Sequence, residues 1–215
     1  MDLLNKIKSQ TANIGVIGLG YVGLPLSVEK AKAGFVVLGF DVQCEKVEMV
    51  NRGENFIGDI VPQDLKDLVS SGHLSATCDY ERLMECDVIA ICVPTPLDKF
   101  KQPDLSYIVN SAKEISKRMH RDMLVVLEST TYPGTTEEVV KPILEESGLK
   151  VGKDFYLAFS PERVDPGNLR YKTHNTPKVV GGCTHECTEI AKTLYSIVLG
   201  AEVFTVSSPK EAEAT

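Results

Sequence analysis

The chain has 215 residues, 43% hydrophobic and 25% charged, values typical of soluble globular proteins and enough for one to two domains with a buried core. That composition excludes a disordered tail, a collagen-like fibre and a coiled coil. With 23 basic against 30 acidic side chains the net charge is −7 and no lysine- or arginine-rich run occurs, so neither nucleic acid nor an anionic membrane, which need a basic face, is expected as a partner.

In chain order, Leu3, Leu4 and Ile7 predict a short amphipathic lead-in helix within residues 1–12. This segment has no apolar run long enough for a signal peptide. Nothing further along reaches the roughly 18 apolar residues of a membrane span, and the chain reads as cytoplasmic. Strands are predicted at Ile14–Ile17, Phe35–Phe40, Leu74–Thr77, Val88–Val93, Leu124–Leu127, Tyr156–Phe159, Lys178–Val180 and Glu202–Val206. Helices follow the first strand to about Ala33, follow Asp41, run from Pro62 to Val69 with Gly72 as the stop, and fill 104–118, 136–147 and 185–198. Thr135 with Glu138 three residues on reads as a capping box. This alternation predicts an α/β, Rossmann-like fold over residues 13–207, a mostly parallel twisted sheet with helices on both faces. Its ligand crevice would lie at the carboxyl ends of the strands. Residues 208–215 carry the start signals Ser208, Pro209 and Glu211 without a stop signal, as expected of a longer helix cut short.

Six cysteines are too few and too scattered for a disulfide scaffold. Cys183-Thr184-His185-Glu186-Cys187 has no second ligand pair at a matching distance, so a helix start is expected there and no metal.

Gly18-Leu19-Gly20-Tyr21-Val22-Gly23 fits G-x-G-x-x-G between a β-branched strand and a helical stretch. Gly18 permits the tight turn, Gly20 lets a pyrophosphate approach the backbone, and Gly23 lets helix and strand pack closely. The N–H groups opening the helix, together with its dipole, attract the diphosphate. Asp41 ends the second strand twenty-three residues beyond Gly18, near the spacing of about 20 expected for the acid that holds the adenosine ribose. A carboxylate there repels a 2′-phosphate by about 3–4 kcal/mol at roughly 4–6 Å and an effective dielectric near 20, which predicts NAD rather than NADP. The competing reading has Asp41 only capping the next helix. Lys46 is placed either to flank the adenosine or to stay solvated.

Three further motifs complete an ordered set: Val93-Pro94-Thr95-Pro96, Glu128-Ser129-Thr130-Thr131-Tyr132-Pro133-Gly134-Thr135, and Phe159-Ser160-Pro161-Glu162-Arg163-Val164-Asp165-Pro166-Gly167-Asn168. With GLGYVGLPL at 18–26, they make the chain resemble the UDP-glucose/GDP-mannose dehydrogenase family from about residue 13 onward, most closely the branch that oxidises UDP-N-acetylhexosamines. The resemblance implies oxidation of a C6 alcohol to a carboxylate, with two NAD⁺ and a covalent thioester intermediate. It also implies roles for single residues. Tyr21 and Val22 offer backbone N–H groups to the pyrophosphate, Asp41 holds the adenosine ribose and Lys46 lies beside it. Pro94 and Thr95 lie by the ribose on the nicotinamide side, and Thr130 lies at the reacting centre. Glu162 serves the later water-dependent step, and Arg163 and Val164 touch the sugar nucleotide. Thr135 is left to helix capping.

UDP-glucose members usually carry a second glutamate where this chain has Pro166, which favours the N-acetylhexosamine branch over UDP-glucose or GDP-mannose. The family's nucleophilic cysteine, with its lysine and asparagine partners, is expected beyond residue 215, so the chain should bind NAD without turnover. The resemblance further implies a homo-oligomer, a dimer or larger. Two other readings stay open: a stand-alone NAD-binding module, and a β-hydroxyacid dehydrogenase, in which the loop after Phe159 would have no obvious role.

Overall fold

The computed structural model describes residues 2–97, 99–163 and 173–215. The predicted strands are present: β1 (Asn13–Ile17), β2 (Val36–Phe40), β3 (Leu74–Thr77), β4 (Val88–Ile91), β5 (Leu124–Leu127), β6 (Tyr156–Phe159), β7 (Lys178–Gly182) and β8 (Val203–Thr205). They form one sheet in the order β3-β2-β1-β4-β5-β6-β7-β8. β1 to β6 pair in parallel, β7 runs antiparallel to β6, and β8 is parallel to β7. The sheet is thus Rossmann-like, and its strand order reverses between β1 and β4.

The helices are α1 (Leu3–Lys8), α2 (Gly23–Lys32), α3 (Cys44–Asn51), α4 (Pro62–Ser70), α5 (Ser106–Ser116), α6 (Lys141–Glu145), α7 (His185–Val198) and α8 (Pro209–Glu213). Side chains of the central strands alternate between two cores, as the period of two requires. Ile14, Val16, Val88, Ala90, Leu124 and Val126 face one core, where Leu24, Ala31 and Leu194 from α2 and α7 cover them. Ile17, Ile89, Ile91, Val125 and Leu127 face the other, under Ile108, Ala112, Ile115 and Leu144 from α5 and α6. The lead-in helix α1 buries Leu3 and Ile7 in the first core. Its Lys6 bonds to Asp87 at 2.6 Å, and the other Asp87 oxygen accepts the Asn13 N–H at 2.9 Å. Among the described residues no helix is long and apolar enough to cross a membrane.

Two local expectations need correction. Thr135 is not an N-cap. The cap position is Gly134, at φ 104°, and residues Thr135–Val140 form a short π-helix that leads into α6. The Thr135 hydroxyl donates to the Tyr132 carbonyl at 2.8 Å instead. The orphan N–H groups are served from α8: Glu213 accepts from the N–H of Gly134 and, at 2.8 Å, from that of Thr136. A carboxylate from a distant helix therefore replaces the local capping box. The second correction concerns the cysteines. Cys44 and Cys78 form a disulfide that joins the start of α3 to the loop after β3, a single pairing that the scattered spacing hid. By contrast, α7 starts where the sequence indicates, the Thr184 hydroxyl accepting from the Cys187 N–H at 3.2 Å.

Candidate functional site

A cleft of about 860 Å³ crosses the carboxyl ends of β1 to β6, within the usual size of a cofactor pocket. The glycine turn forms one wall. Gly18 takes φ +94°, and a Cβ there would stand 2.6 Å from the Cys92 carbonyl oxygen. A Cβ on Gly23 would lie 1.8 Å from the Gly18 carbonyl oxygen, so helix and turn touch backbone to backbone. A Cβ on Gly20 would meet nothing within 4 Å, because that position faces the open cleft. Val22, the N-cap of α2, makes no side-chain capping bond; the Leu24 N–H goes to the Gly20 carbonyl at 3.1 Å and Pro25 has none, so it is the N–H groups from Gly23 back into the turn that face an anion. This cradle, with its opening at Gly20, fits a dinucleotide pyrophosphate.

Asp41 closes β2 and is 8% exposed. One of its oxygens accepts the Leu19 N–H and the other the Gln43 N–H, both at 2.9 Å. The side chain therefore does brace the entry to α3, and it also lines the cleft. Each oxygen keeps a second lone pair for a hydroxyl. Lys46 lines the same end. Tyr80 stands nearby, its phenol pushed up to about 12 by burial first and then by the Asp41 and Glu114 carboxylates, so it stays protonated.

At the other end the loops after β4 and β5 are tied together. The Thr95 hydroxyl donates to the Thr130 carbonyl at 2.7 Å, and the Ser129 hydroxyl to the Val93 carbonyl at 2.8 Å. Pro94, Thr95, Thr130 and Glu162 all line the cleft with Gly18, Gly20, Tyr21 and Val22. Gly23 lies behind the wall, as a packing role requires. Arg163 is exposed and does not line the cleft, and Val164 lies outside the described residues.

Sequence reasoning missed part of the lining. Tyr80, Asn110, Glu114 and Arg118 reach the adenosine end from the turn after β3, from α5 and from just beyond its end, and no local pattern marks them. A buried group of charges at the floor of the cleft, with Glu128 among the lining residues, was also unmarked. Glu128, fully buried, lies 2.8 Å from Lys178 and 3.4 Å from Lys30, and accepts the Tyr195 hydroxyl at 2.6 Å. Burial alone would raise the Glu128 carboxyl, but Lys178 and then Lys30 outweigh it and hold it below the usual range. A charged residue closing the apolar run Leu124–Leu127 was the available signal.

A glycine turn between β1 and α2, an acid at the end of β2 and a cleft at the reversal of strand order define a dinucleotide-binding domain of the dehydrogenase type. The model of the UDP-glucose/GDP-mannose dehydrogenase family, NAD binding domain, matches residues 12–199. The chain belongs to the UDP-glucose/GDP-mannose dehydrogenase family, and its cofactor is NAD.

The UDP-N-acetyl-D-glucosamine 6-dehydrogenase of Pseudomonas aeruginosa is 40% identical over 202 residues, 94% of this chain and 47% of that protein. The UDP-N-acetyl-D-mannosamine dehydrogenase of Pyrococcus horikoshii is 35% identical over 196 residues, covering 91% of this chain and 47% of that protein. Among solved structures, the NDP-N-acetyl-D-galactosaminuronic acid dehydrogenase from Methanosarcina mazei Go1 superposes with a TM-score of 0.89 at 38% identity, covering 100% of this chain and 48% of that one. The chain thus spans about half the length of these relatives.

Proposed function

We propose that this chain is the cofactor-binding part of an NAD-dependent dehydrogenase that oxidises the C6 alcohol of a UDP-N-acetylhexosamine to the carboxylate. The observation that carries this reading is that one cleft gathers the phosphate turn, Asp41, Thr95, Thr130 and Glu162. It therefore joins a nucleotide end to an end with an acid poised for chemistry. The relatives named for N-acetylated sugar nucleotides support the sugar class, as does Pro166 in place of a second glutamate.

In this reading the backbone of Tyr21 and Val22 and the start of α2 hold the diphosphate, while Asp41 receives the adenosine ribose hydroxyls with Lys46 alongside. Pro94 and Thr95 bound the second ribose, and the Thr130 hydroxyl orients the reacting end. Bound NAD⁺ supplies the hydride acceptor. Glu162 takes a proton from water in the later hydrolytic step, a role worth about 10²–10⁴-fold in rate. Arg163 and Val164, next in the chain, contact the sugar nucleotide. The chain alone binds NAD without turning over; the complete enzyme acts as a homo-oligomer.

With the complete protein, UDP-N-acetylglucosamine or UDP-N-acetylmannosamine is expected to yield NADH and a uronic acid. NADH from UDP-glucose or GDP-mannose alone would transfer the assignment to those substrates. Turnover by residues 1–215 alone would show that the chemistry needs nothing further.

Asp41→Asn gives a second test. The amide keeps shape but loses the charge, and its NH₂ faces a backbone donor, at a cost of about 1–3 kcal/mol in stability. NAD affinity is expected to fall roughly 10-fold while the preference for NAD over NADP narrows by about 10-fold or more. Calorimetric titration with both nucleotides measures this, and an unchanged ratio would reduce Asp41 to a helix brace.

A further inference from the structure

The charges buried at the floor of the cleft are costly and need a reason. Lys30 comes from α2, Glu128 from the end of β5, Lys178 from the start of β7 and Tyr195 from α7. Both ammonium groups also stand over the Tyr195 ring, at 5.7 and 5.1 Å. Buried ion pairs are seldom more stable than apolar side chains of the same volume, so stability alone does not explain two lysines here. Two cations face Glu128, and the second carboxylate comes from the cleft. Glu162, 11% exposed, lies with its Oε2 3.4 Å from the Lys178 ammonium. The same ammonium donates to the Pro161 carbonyl at 3.4 Å, and Glu162 Oε1 accepts the Arg163 N–H at 2.8 Å. Lys178 thus grips both the carboxylate and the backbone just before it. On its far side it is held in turn by Glu128.

We infer that Lys178, anchored by Glu128, is a positioning residue for Glu162: it fixes the carboxylate in the cleft wall and sets its orientation toward the water it activates. This rests on the reading of Glu162 given above. Burial disfavours the Lys178 charge, but Glu128 and then Glu162 overcome this and raise its pKa above the ordinary lysine value, so the cation persists at any working pH. Among the described residues, the other titratable groups facing this pair are Lys30, Tyr195 and Cys92, with Arg163 adjacent in the chain. The Cys92 thiol is raised by burial first and then by Glu128, and the Tyr195 phenol by burial and Glu128. Both stay neutral, and among the described residues Lys178 is a charge that Glu162 meets directly.

The test uses the complete enzyme. Two neutral replacements, Lys178→Gln and Lys178→Met, guard against one that fails to fold, and in both Glu128 keeps Lys30 and Tyr195. Each is expected to lower kcat roughly 10- to 100-fold with KM for NAD and sugar nucleotide within about 2-fold. Lys178→Arg should restore most of the rate, and Lys178→Gln combined with Glu162→Gln should be no slower than Glu162→Gln alone. Normal kcat in the Lys178 variants, with Glu162→Gln impaired, would overturn the positioning role and spare the reading of Glu162. An unimpaired Glu162→Gln would remove both.

Discussion

Gly23→Ala is expected to lose NAD binding and to unfold at lower temperature, whereas Gly20→Ala loses only the binding. At position 23 a methyl group would sit 1.8 Å from the Gly18 carbonyl oxygen and 3.1 Å from Cys92 Cβ. The first contact is with backbone and no rotamer relieves it, so α2 must move away from the turn. Overpacking of this kind costs about 3 kcal/mol, or roughly 6–12 °C in melting temperature for a chain of this size. The same displacement pulls the helix N-terminus out of register with the diphosphate, and affinity should fall at least about 100-fold. At position 20 the added methyl meets no protein atom within 4 Å. Melting should therefore stay within about 2 °C, as for a surface change, while the methyl obstructs the pyrophosphate and weakens NAD by roughly 10- to 100-fold. Thermal melting and calorimetric titration of both variants measure the contrast. Equal melting temperatures for the two would contradict the packing argument, and wild-type affinity in Gly20→Ala would contradict the site.

Glu128→Gln is expected to be the most damaging single change away from the glycine turn. It leaves the ammonium groups of Lys30 and Lys178, with side-chain exposures of 0% and 6%, without the carboxylate between them. Breaking a buried pair from one side costs about 3–5 kcal/mol, a large share of the roughly 5–15 kcal/mol that a domain possesses. The pH dependence has a definite sign. The Glu128 carboxyl titrates below its ordinary 4.5 in the folded state, since Lys178 and Lys30 outweigh the upward pull of burial. Its contribution is complete above that value and disappears as the pH falls through the folded pKa. Lys178 is raised above its ordinary 10.5 despite burial, because of Glu128 and Glu162. Its contribution is complete below 10.5 and is lost as the pH rises through the folded value. Urea midpoints of wild type and Glu128→Gln should therefore differ most between about pH 5 and 10 and converge in stronger acid. A difference independent of pH would mean that the amide disturbs packing rather than charge.

Local chemistry made most of the framework legible. The β-branched strand, the glycine turn and Asp41 each act through neighbours within about two dozen residues, and residues 14–41 fold as their spacing indicates. The start of α7 was legible for the same reason, and there the Thr184 hydroxyl accepts from an N–H only three residues on. Thr135 followed the same pattern and yet does not cap, because Glu213 reaches Gly134 and Thr136 from 77 to 79 residues away and supplies a stronger acceptor. Cys44 and Cys78 meet only because β2 and β3 are adjacent in the sheet. The reversed direction of β7 has no local signature at all.

The sequence by itself determined the alternating α/β framework, the phosphate turn and the acid at position 41, because backbone sterics, helix N–H groups and strand periodicity operate over short spans of chain. Only the tertiary structure decided that Thr95 and Thr130 are tied together, that Glu162 shares their cleft, and that Lys178 joins Glu162 to Glu128 at its floor. Those arrangements depend on which strands become neighbours, and burial then selects among charges that look equally solvated when read one after another.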